Sequence, residues 1–119
     1  MIFSSFKNEF KFQDRLTESK RVLAKYPDRV PIICERSLTA TQDCPVIDKR
    51  KYLVPITYTI GEFLFIIRKR LKLPPEKAIF LFVNDKIPAT CSSIGNVYNR
   101  YKDADGYLYM CYSQENTFG

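Results

Sequence analysis

The chain has 119 residues, 45% of them hydrophobic and 14% aromatic, which is enough for one folded domain and too apolar for a disordered tail. Its 19 lysines and arginines against 13 acids leave a formal charge of +6, which favours acidic partners as a class without choosing among acidic peptides, anionic lipid and nucleic acid. No apolar run approaches the ~20 residues of a membrane-spanning helix, and the opening M-I-F-S-S-F-K-N-E-F lacks the basic and apolar regions of a signal peptide.

Phe3, Phe6 and Phe10 recur at helical spacing and predict a short amphipathic helix over Ser4–Glu9. A second helix is predicted from Gln13 to Lys25, with Leu16, Val22, Leu23 and Tyr26 facing inward and Pro27 stopping it. Val30–Arg36 is a strand by its β-branched content, and Pro31 near its start predicts an edge strand or an unpaired position. Ser37–Asp43 is polar and turn-forming, a surface connection leading to a strand over Lys51–Val54.

A helix from Ile60 to about Leu71 follows. Thr59 and Glu62 carry the capping-box spacing at its start, and Ile60, Phe63, Leu64, Ile67 and Leu71 fall on one stripe. Ile66 lies about 120° from the centre of that stripe, on the flank shared by Phe63 and Arg70. Beside the Lys51–Val54 strand this shoulder is an apolar hollow with a cation at its rim, the composition of a binding surface. Pro74-Pro75 ends the helix, and the continuous apolar run Ala78–Val83 predicts a strand buried on both faces. Asn84-Asp85 is a turn, Lys86-Ile87 a stub of strand, and Ser93 the cap of a helix running to Tyr101. Asp105-Gly106 turns the chain into a last strand, Tyr107–Tyr112, before the polar tail Ser113–Phe118 and a terminal Gly119. This order predicts an α+β fold, a sheet with helices on one face.

Catalytic chemistry is sparse. With no histidine, the usual general base of serine and cysteine hydrolases is missing, and the four glycines form no phosphate-cradling loop. Cys34, Cys44, Cys91 and Cys111 are scattered without a C-x-x-C pair, so free thiols in a reducing cytosol are expected rather than zinc. The expectation is a protein that is not an enzyme and has no cofactor. A terminal glycine, lacking a Cβ, can thread a narrow catalytic cleft, which suits a tail that another enzyme activates and transfers.

Several blocks together resemble one family. Lys49-Arg50-Lys51-Tyr52-Leu53-Val54-Pro55, Leu73-Pro74-Pro75-Glu76-Lys77-Ala78, Phe82-Val83-Asn84, Tyr101-Lys102-Asp103 with Asp105-Gly106, and Glu115-Asn116-Thr117-Phe118-Gly119 are similar to the autophagy ubiquitin-like modifiers. These are the GABARAP-like and yeast autophagy-related protein eight type. The resemblance implies a ubiquitin-like β-grasp domain with two additional N-terminal helices: a helical extension over 1–26, a core over 27–112 and a flexible tail over 113–119. It implies that an ATP-dependent activating enzyme and a conjugating enzyme pass Gly119 to phosphatidylethanolamine, anchoring the protein on autophagosomal and vacuolar or lysosomal membranes. Phe118 is then the tail residue those enzymes recognise. A deconjugating cysteine protease would release the protein from lipid, and a sequence closing on Gly119 needs no prior cut by it.

The resemblance also implies binding to cargo receptors and adaptors that carry acidic-flanked aromatic-x-x-aliphatic motifs. An extended peptide added to a strand edge points its first and fourth side chains to opposite faces, so two pockets follow. By resemblance the aromatic pocket takes Glu18, Val22, Pro31, Ile33, Lys51, Leu53 and Tyr107. The aliphatic pocket takes Tyr52, Val54, Pro55, Tyr58, Phe63 and Ile66, with Lys49 and Arg70 for acidic flanks. From the residues alone, Leu53, Val54 and Phe63 read as plain core, and Arg68, Lys69 and Lys72 as cations suited to a helix C-terminus. The chain departs from the family pattern in a Ser37–Asp43 connection about two residues longer, in Tyr58 where a smaller aliphatic residue is expected, and in a polar, glycine-bearing Ser92–Gly95. Two rivals stand beside this reading. One is a non-lipidated adaptor in trafficking or cytoskeletal attachment, with the same pockets and no dependence on Gly119. The other, a nucleic-acid-binding domain, rests on charge alone, because most aromatics sit in core periodicity instead of interleaving with Lys and Arg. No nucleic-acid partner is expected.

Overall fold

In the computed structural model, which describes residues 4–41 and 43–115, four helices and four strands follow in the order α1 (Ser5–Glu9), α2 (Phe12–Lys25), β1 (Arg29–Arg36), β2 (Lys51–Pro55), α3 (Ile60–Leu71), β3 (Phe80–Phe82), α4 (Ile94–Tyr101) and β4 (Leu108–Ser113). The strands form one mixed sheet in the order β2-β1-β4-β3. β1 pairs antiparallel with β2, from Arg29↔Pro55 to Ile33↔Lys51, and parallel with β4, from Ile32↔Leu108 to Arg36↔Tyr112. β3 closes the far side, antiparallel to β4.

β1 is therefore a central strand, and the edge position that Pro31 suggested is not found. Pro31 instead meets the second expectation, an unpaired position. It stands opposite Leu53 and one residue ahead of Ile32, where the parallel ladder begins, so its missing N–H interrupts nothing on that side. The apolar run Ala78–Val83 yields only three strand residues, and they lie on an edge. Asn84 and Asp85 both take positive φ (50° and 61°), and Val83 and Lys86 exchange backbone hydrogen bonds across them. That tight turn leads the chain away before the strand can lengthen.

Helices cover both faces of the sheet, not one. On one side Ile60, Phe63 and Ile67 of α3 and Ile94, Val97 and Tyr98 of α4 pack on Val30, Ile32, Cys34, Leu108 and Tyr112. On the other, Phe6 of α1 meets Ile33, Tyr107 and Tyr109. The sequence carries the signal for this: Val30 through Cys34 are all buried, the unbroken pattern of a strand covered on both sides.

Local rules account for α3 and α4. Thr59 Oγ1 accepts from the Glu62 N–H and the Glu62 carboxylate accepts from the Thr59 N–H, the reciprocal capping box. At the other end Lys72 takes a left-handed conformation (φ 56°) and donates to the carbonyls of Arg68 and Lys69. Ser93 caps α4 by accepting from Asn96 N–H at 3.1 Å. Gly95, expected to weaken that helix start, lets the chain pass close to the loop before α3: its N–H and that of Ile94 donate to Ile56 and Tyr58 carbonyls, and a Cβ there would lie 3.1 Å from Ile56 Cβ.

α2 docks differently. Leu16, Val22 and Leu23 are half-buried, and Tyr26 is exposed because α2 ends at Lys25 and the backbone leaves the helical path at the cap. The one fully buried residue of α2 is Ser19, whose hydroxyl donates to the Asp105 carbonyl at 2.5 Å. Asp105 is itself inaccessible to solvent. Its carboxylate accepts from Arg15, from the Tyr109 hydroxyl and from the Tyr107 N–H. Gly106, at φ +89°, lies so close that a Cβ would collide with the Ser19 side chain. Lys7 adds an ion pair to Asp103 at 2.7 Å.

Replacing Asp105 with Ala strands the Arg15 cation in a largely buried site, and the unfolding free energy is expected to fall by about 3 kcal/mol. Urea denaturation of the parent and variant measures this, and a loss under ~1 kcal/mol would remove Asp105 from its role in docking α2.

Candidate functional site

β2 is an edge strand with a usable face. At the ends of its ladder with β1, Ile56 N–H donates to Asp28 O (3.0 Å) and Cys34 N–H to Arg50 O (2.8 Å). Antiparallel alternation between these bonds turns the backbone groups of Tyr52 and Val54 toward β1 and those of Lys51 and Leu53 outward. The side chains alternate as well. Tyr52 and Val54 point into the α3 core, while Lys51 and Leu53 stand on the α2 side. An extended segment laid along this edge would bond to Lys51 and Leu53 and send alternate side chains toward α2 and toward α3.

On the α2 side is a hollow of about 200 Å³, lined by Glu18, Val22, Pro31, Lys51, Leu53 and Tyr107 together with Lys49 and Tyr52. Six of the seven residues expected in the aromatic pocket meet there. The seventh, Ile33, is fully buried among Phe6, Tyr107 and Tyr109, beneath the wall and not in it. Lys51 Nζ reaches Glu18 Oε1 at 2.6 Å, and this hydrogen bond holds the Glu18 carboxyl below its ordinary range. Burial and the neighbouring Glu18 push the Tyr107 phenol well above its own.

On the α3 side the expected residues divide. Tyr52, Val54 and Phe63 are core: Phe63 has no exposure, and its ring meets the Tyr52 ring edge-on at 5.5 Å. Tyr58 and Ile66 are half-buried against that core and line an open hollow of about 440 Å³ with Thr59, Gly61, Glu62 and Phe65. Pro55 is half-buried at the end of β2. Phe65 was not foreseen. It is 59% exposed, with Lys69 Nζ 5.3 Å above its ring, and its place off the core stripe next to Ile66 was the available signal.

The rim is cationic but not unopposed. Arg70 Nε pairs with Asp48 Oδ1 at 2.9 Å, both side chains being exposed, and Lys49 Nζ sits 5.1 Å over the Tyr52 ring. Asp48 is a second residue the sequence reading left without a role. Gly119 and Phe118 lie outside the described residues; β4 ends at Ser113.

Comparison with known proteins shows the family and the fold. The family model described as "Autophagy protein Atg8 ubiquitin like" matches residues 14–119. The chain belongs to this family. It is 55% identical to autophagy-related protein 8 of Vanderwaltozyma polyspora and 54% identical to that of Candida glabrata, each over 98% of this chain and 97% of the relative. Among solved structures, Trypanosoma brucei ATG8 superposes with a TM-score of 0.88 at 38% identity, covering 94% of this chain and 95% of that one. Plasmodium falciparum Atg8, solved in complex with an Atg3 peptide, gives 0.86 at 38% identity, covering 95% and 98%. The chain is thus a ubiquitin-like modifier of autophagy with the α+β fold of the Atg8 proteins.

In this Atg8-family chain the Glu18–Lys51 pair makes a direct chemical prediction. Lys51→Met should raise the Glu18 carboxyl toward the ordinary carboxylate range, as followed by NMR titration; an unmoved titration would mean that Lys51 does not hold it. Because the folded-state value is the depressed one, the pair's small stabilising contribution is present above the ordinary carboxylate range. It is lost as pH falls through the depressed value.

Proposed function

We propose that this chain is conjugated through Gly119 to phosphatidylethanolamine and, on autophagosomal and vacuolar or lysosomal membranes, binds acidic-flanked aromatic-x-x-aliphatic motifs at the β2 edge. The conjugation half rests on the family match, which runs to residue 119 and so includes the tail. In the activation step the Gly119 carboxylate attacks ATP, releasing pyrophosphate. An enzyme thiol then displaces AMP to give a thioester. After transfer to the conjugating enzyme, the headgroup amine displaces that enzyme's thiolate to form the amide. All of this chemistry belongs to the partner enzymes; the chain supplies the acyl group and a surface by which they hold it. The complex of the Plasmodium relative with an Atg3 peptide supports a peptide from a conjugating enzyme as one partner here.

The observation that carries the binding half is the open β2 edge between two hollows, with outward Lys51 and Leu53 backbone groups and a cationic rim. Main-chain pairing gives affinity whatever the sequence, and the hollows select the side chains. Deconjugation by a cysteine protease completes the proposed cycle.

Reconstitution with the family's activating and conjugating enzymes, ATP and phosphatidylethanolamine liposomes tests the first half. A membrane-bound conjugate is expected with the parent and none with Gly119→Ala, which should still bind peptide. If the parent gives no conjugate while a working relative does in the same assay, a non-lipidated adaptor becomes the better account.

The rim tests the second half. Asp48→Ala frees Arg70 from its ion pair and should tighten an acidic-flanked peptide roughly two- to fivefold at low salt, less at high salt. Arg70→Glu should weaken the same peptide with the same salt dependence. Isothermal titration at two ionic strengths reads both, and unchanged affinities would remove Arg70 from the site.

A further inference from the structure

The connection between β1 and β2 carries an apolar surface that the β2 edge does not use. Leu38 and Val46 are 71% and 70% exposed, the two most exposed large apolar side chains among the described residues. Both line one hollow of about 290 Å³, with Ile47, Arg36, Glu35, Ser5 and Arg50. Single exposed aliphatics are ordinary, but two that share a concavity make a contact surface.

This surface is tied to the end of β4. Ser37 N–H donates to the Tyr112 carbonyl at 2.9 Å. The Tyr112 hydroxyl donates to the Pro45 carbonyl and accepts from the Ile47 N–H, both at 2.7 Å. Arg36 Nη1 donates to the Cys44 carbonyl at 2.9 Å and braces the two arms of the connection. Leu38 follows Ser37, and Val46 lies between Pro45 and Ile47, so each stands next to a residue bonded to Tyr112. β4 ends one residue later at Ser113, whose hydroxyl accepts from the Glu115 N–H at 3.1 Å. The patch is therefore at the root of the tail. Gly119 is four residues beyond Glu115, a span of at most about 14 Å. A cleft that takes Gly119 brings its enzyme within reach of this ground.

The charges of the hollow differ in availability. Arg50 is held by Glu9 and Glu35, and Glu35 also accepts from Ser4 and Ser5. Arg36 donates to a neutral carbonyl, and among the described residues no carboxylate pairs with it. The surface is complementary to an aliphatic side chain with a carboxylate beside it.

Resting on the conjugation role proposed above, we propose that Leu38 and Val46, with Arg36 beside them, form the surface by which the ATP-dependent activating enzyme holds this chain while the tail enters its cleft. An aliphatic anchor of the enzyme fills the hollow and an adjoining acid meets Arg36. Such a surface matters most at the first step. Before activation no covalent bond joins the chain to an enzyme, so non-covalent contact alone sets how often the Gly119 carboxylate meets ATP. Once a thioester exists, the bond itself keeps the two together, and the patch adds little to later transfer.

The test follows the initial rate of thioester formation on limiting activating enzyme with ATP, as the concentration of the chain is varied. Leu38→Asp/Val46→Asp is compared with the parent and with Ile87→Asp, the same change at an exposed aliphatic between β3 and α4. Because Leu38 and Val46 are exposed, urea unfolding and peptide binding at the β2 edge are expected to match the parent. The double variant should raise the half-saturating concentration roughly tenfold, and each single variant about threefold, with the maximal rate within about twofold. Ile87→Asp should leave both quantities unchanged, and Leu38→Met/Val46→Ile, which keeps the apolar contact, should stay near the parent. An unmoved half-saturating concentration in the double variant would overturn the assignment. So would a fall in maximal rate alone, which would place the effect on the geometry of the tail. A defect confined to transfer from preloaded conjugating enzyme to lipid would also overturn it, giving the surface to a later partner. If the parent forms no thioester while a working relative does, it is the conjugation reading beneath the proposal that fails.

Discussion

Asp105 holds a carboxylate out of solvent at the turn between α4 and β4, and the α2 wall of the candidate site depends on how that charge is satisfied. Arg15 and the Tyr109 hydroxyl reach it from α2 and β4, and the Tyr107 N–H closes the turn beneath it. Ser19 reaches the carbonyl of the same residue, and Gly106 leaves room for Ser19 to approach. α2 has little apolar surface fully buried, so polar contacts do what a hydrophobic stripe does for α3. Glu18 and Val22, the α2 wall of the aromatic hollow, lie on the same helix within a turn of Ser19. The position of that wall is therefore set by a carboxylate just ahead of β4, two strands over from β2 in the sheet.

An open strand edge is a hazard as well as a tool. β2 leaves two residues' worth of backbone donors and acceptors outward, and such an edge pairs with whatever extended chain it meets. Its features narrow that choice. The strand is five residues long, ends in Pro55, and carries Lys51 at its start behind Lys49 and Arg50. Cations repel other basic segments and favour acidic ones, so the excess positive charge of the whole chain acts here as a filter on partners. The filter is partly internal, since Glu18 and Asp48 already occupy Lys51 and Arg70, and an incoming acid must compete with them.

How much of this was legible in the sequence depends on which physical rule carries each element. α3 was readable to the residue because its box, stripe and stop are all local, and so were the Asn84-Asp85 turn and the Ser93 cap. The placing of helices on both faces was not read, although five consecutive buried residues of β1 encode it, because burial on two sides is a property of what arrives from elsewhere in the chain. Ser19 was invisible for the same reason: a serine becomes the anchor of a helix only when Asp105 and Gly106, some 86 residues on, meet it. Six aromatic-pocket residues converge because the β-grasp frame fixes their relative positions once the family is recognised. Val54 and Phe63 read as core from the residues alone, and the structure has them there; Leu53, read the same way, is only half-buried and lines the α2-side hollow, with Tyr58, Ile66 and the unforeseen Phe65 nearer the surface.

The two hollows consequently differ in how they are held. The α3 hollow stands on the continuous apolar core, with Phe63, Ile67 and Val54 packed below Ile66 and Tyr58, and interiors of that kind resist small displacements. The α2 hollow is bounded by a helix attached through hydrogen bonds and ion pairs, whose strength depends on geometry and on the charges present. Loosening that attachment would move Glu18 and Val22 away from Leu53 and Tyr107 while leaving Ile66 and Tyr58 where they are. The aliphatic half of the edge is thus the rigid half, and selectivity for the aromatic anchor is the property most exposed to anything that alters the docking of α2.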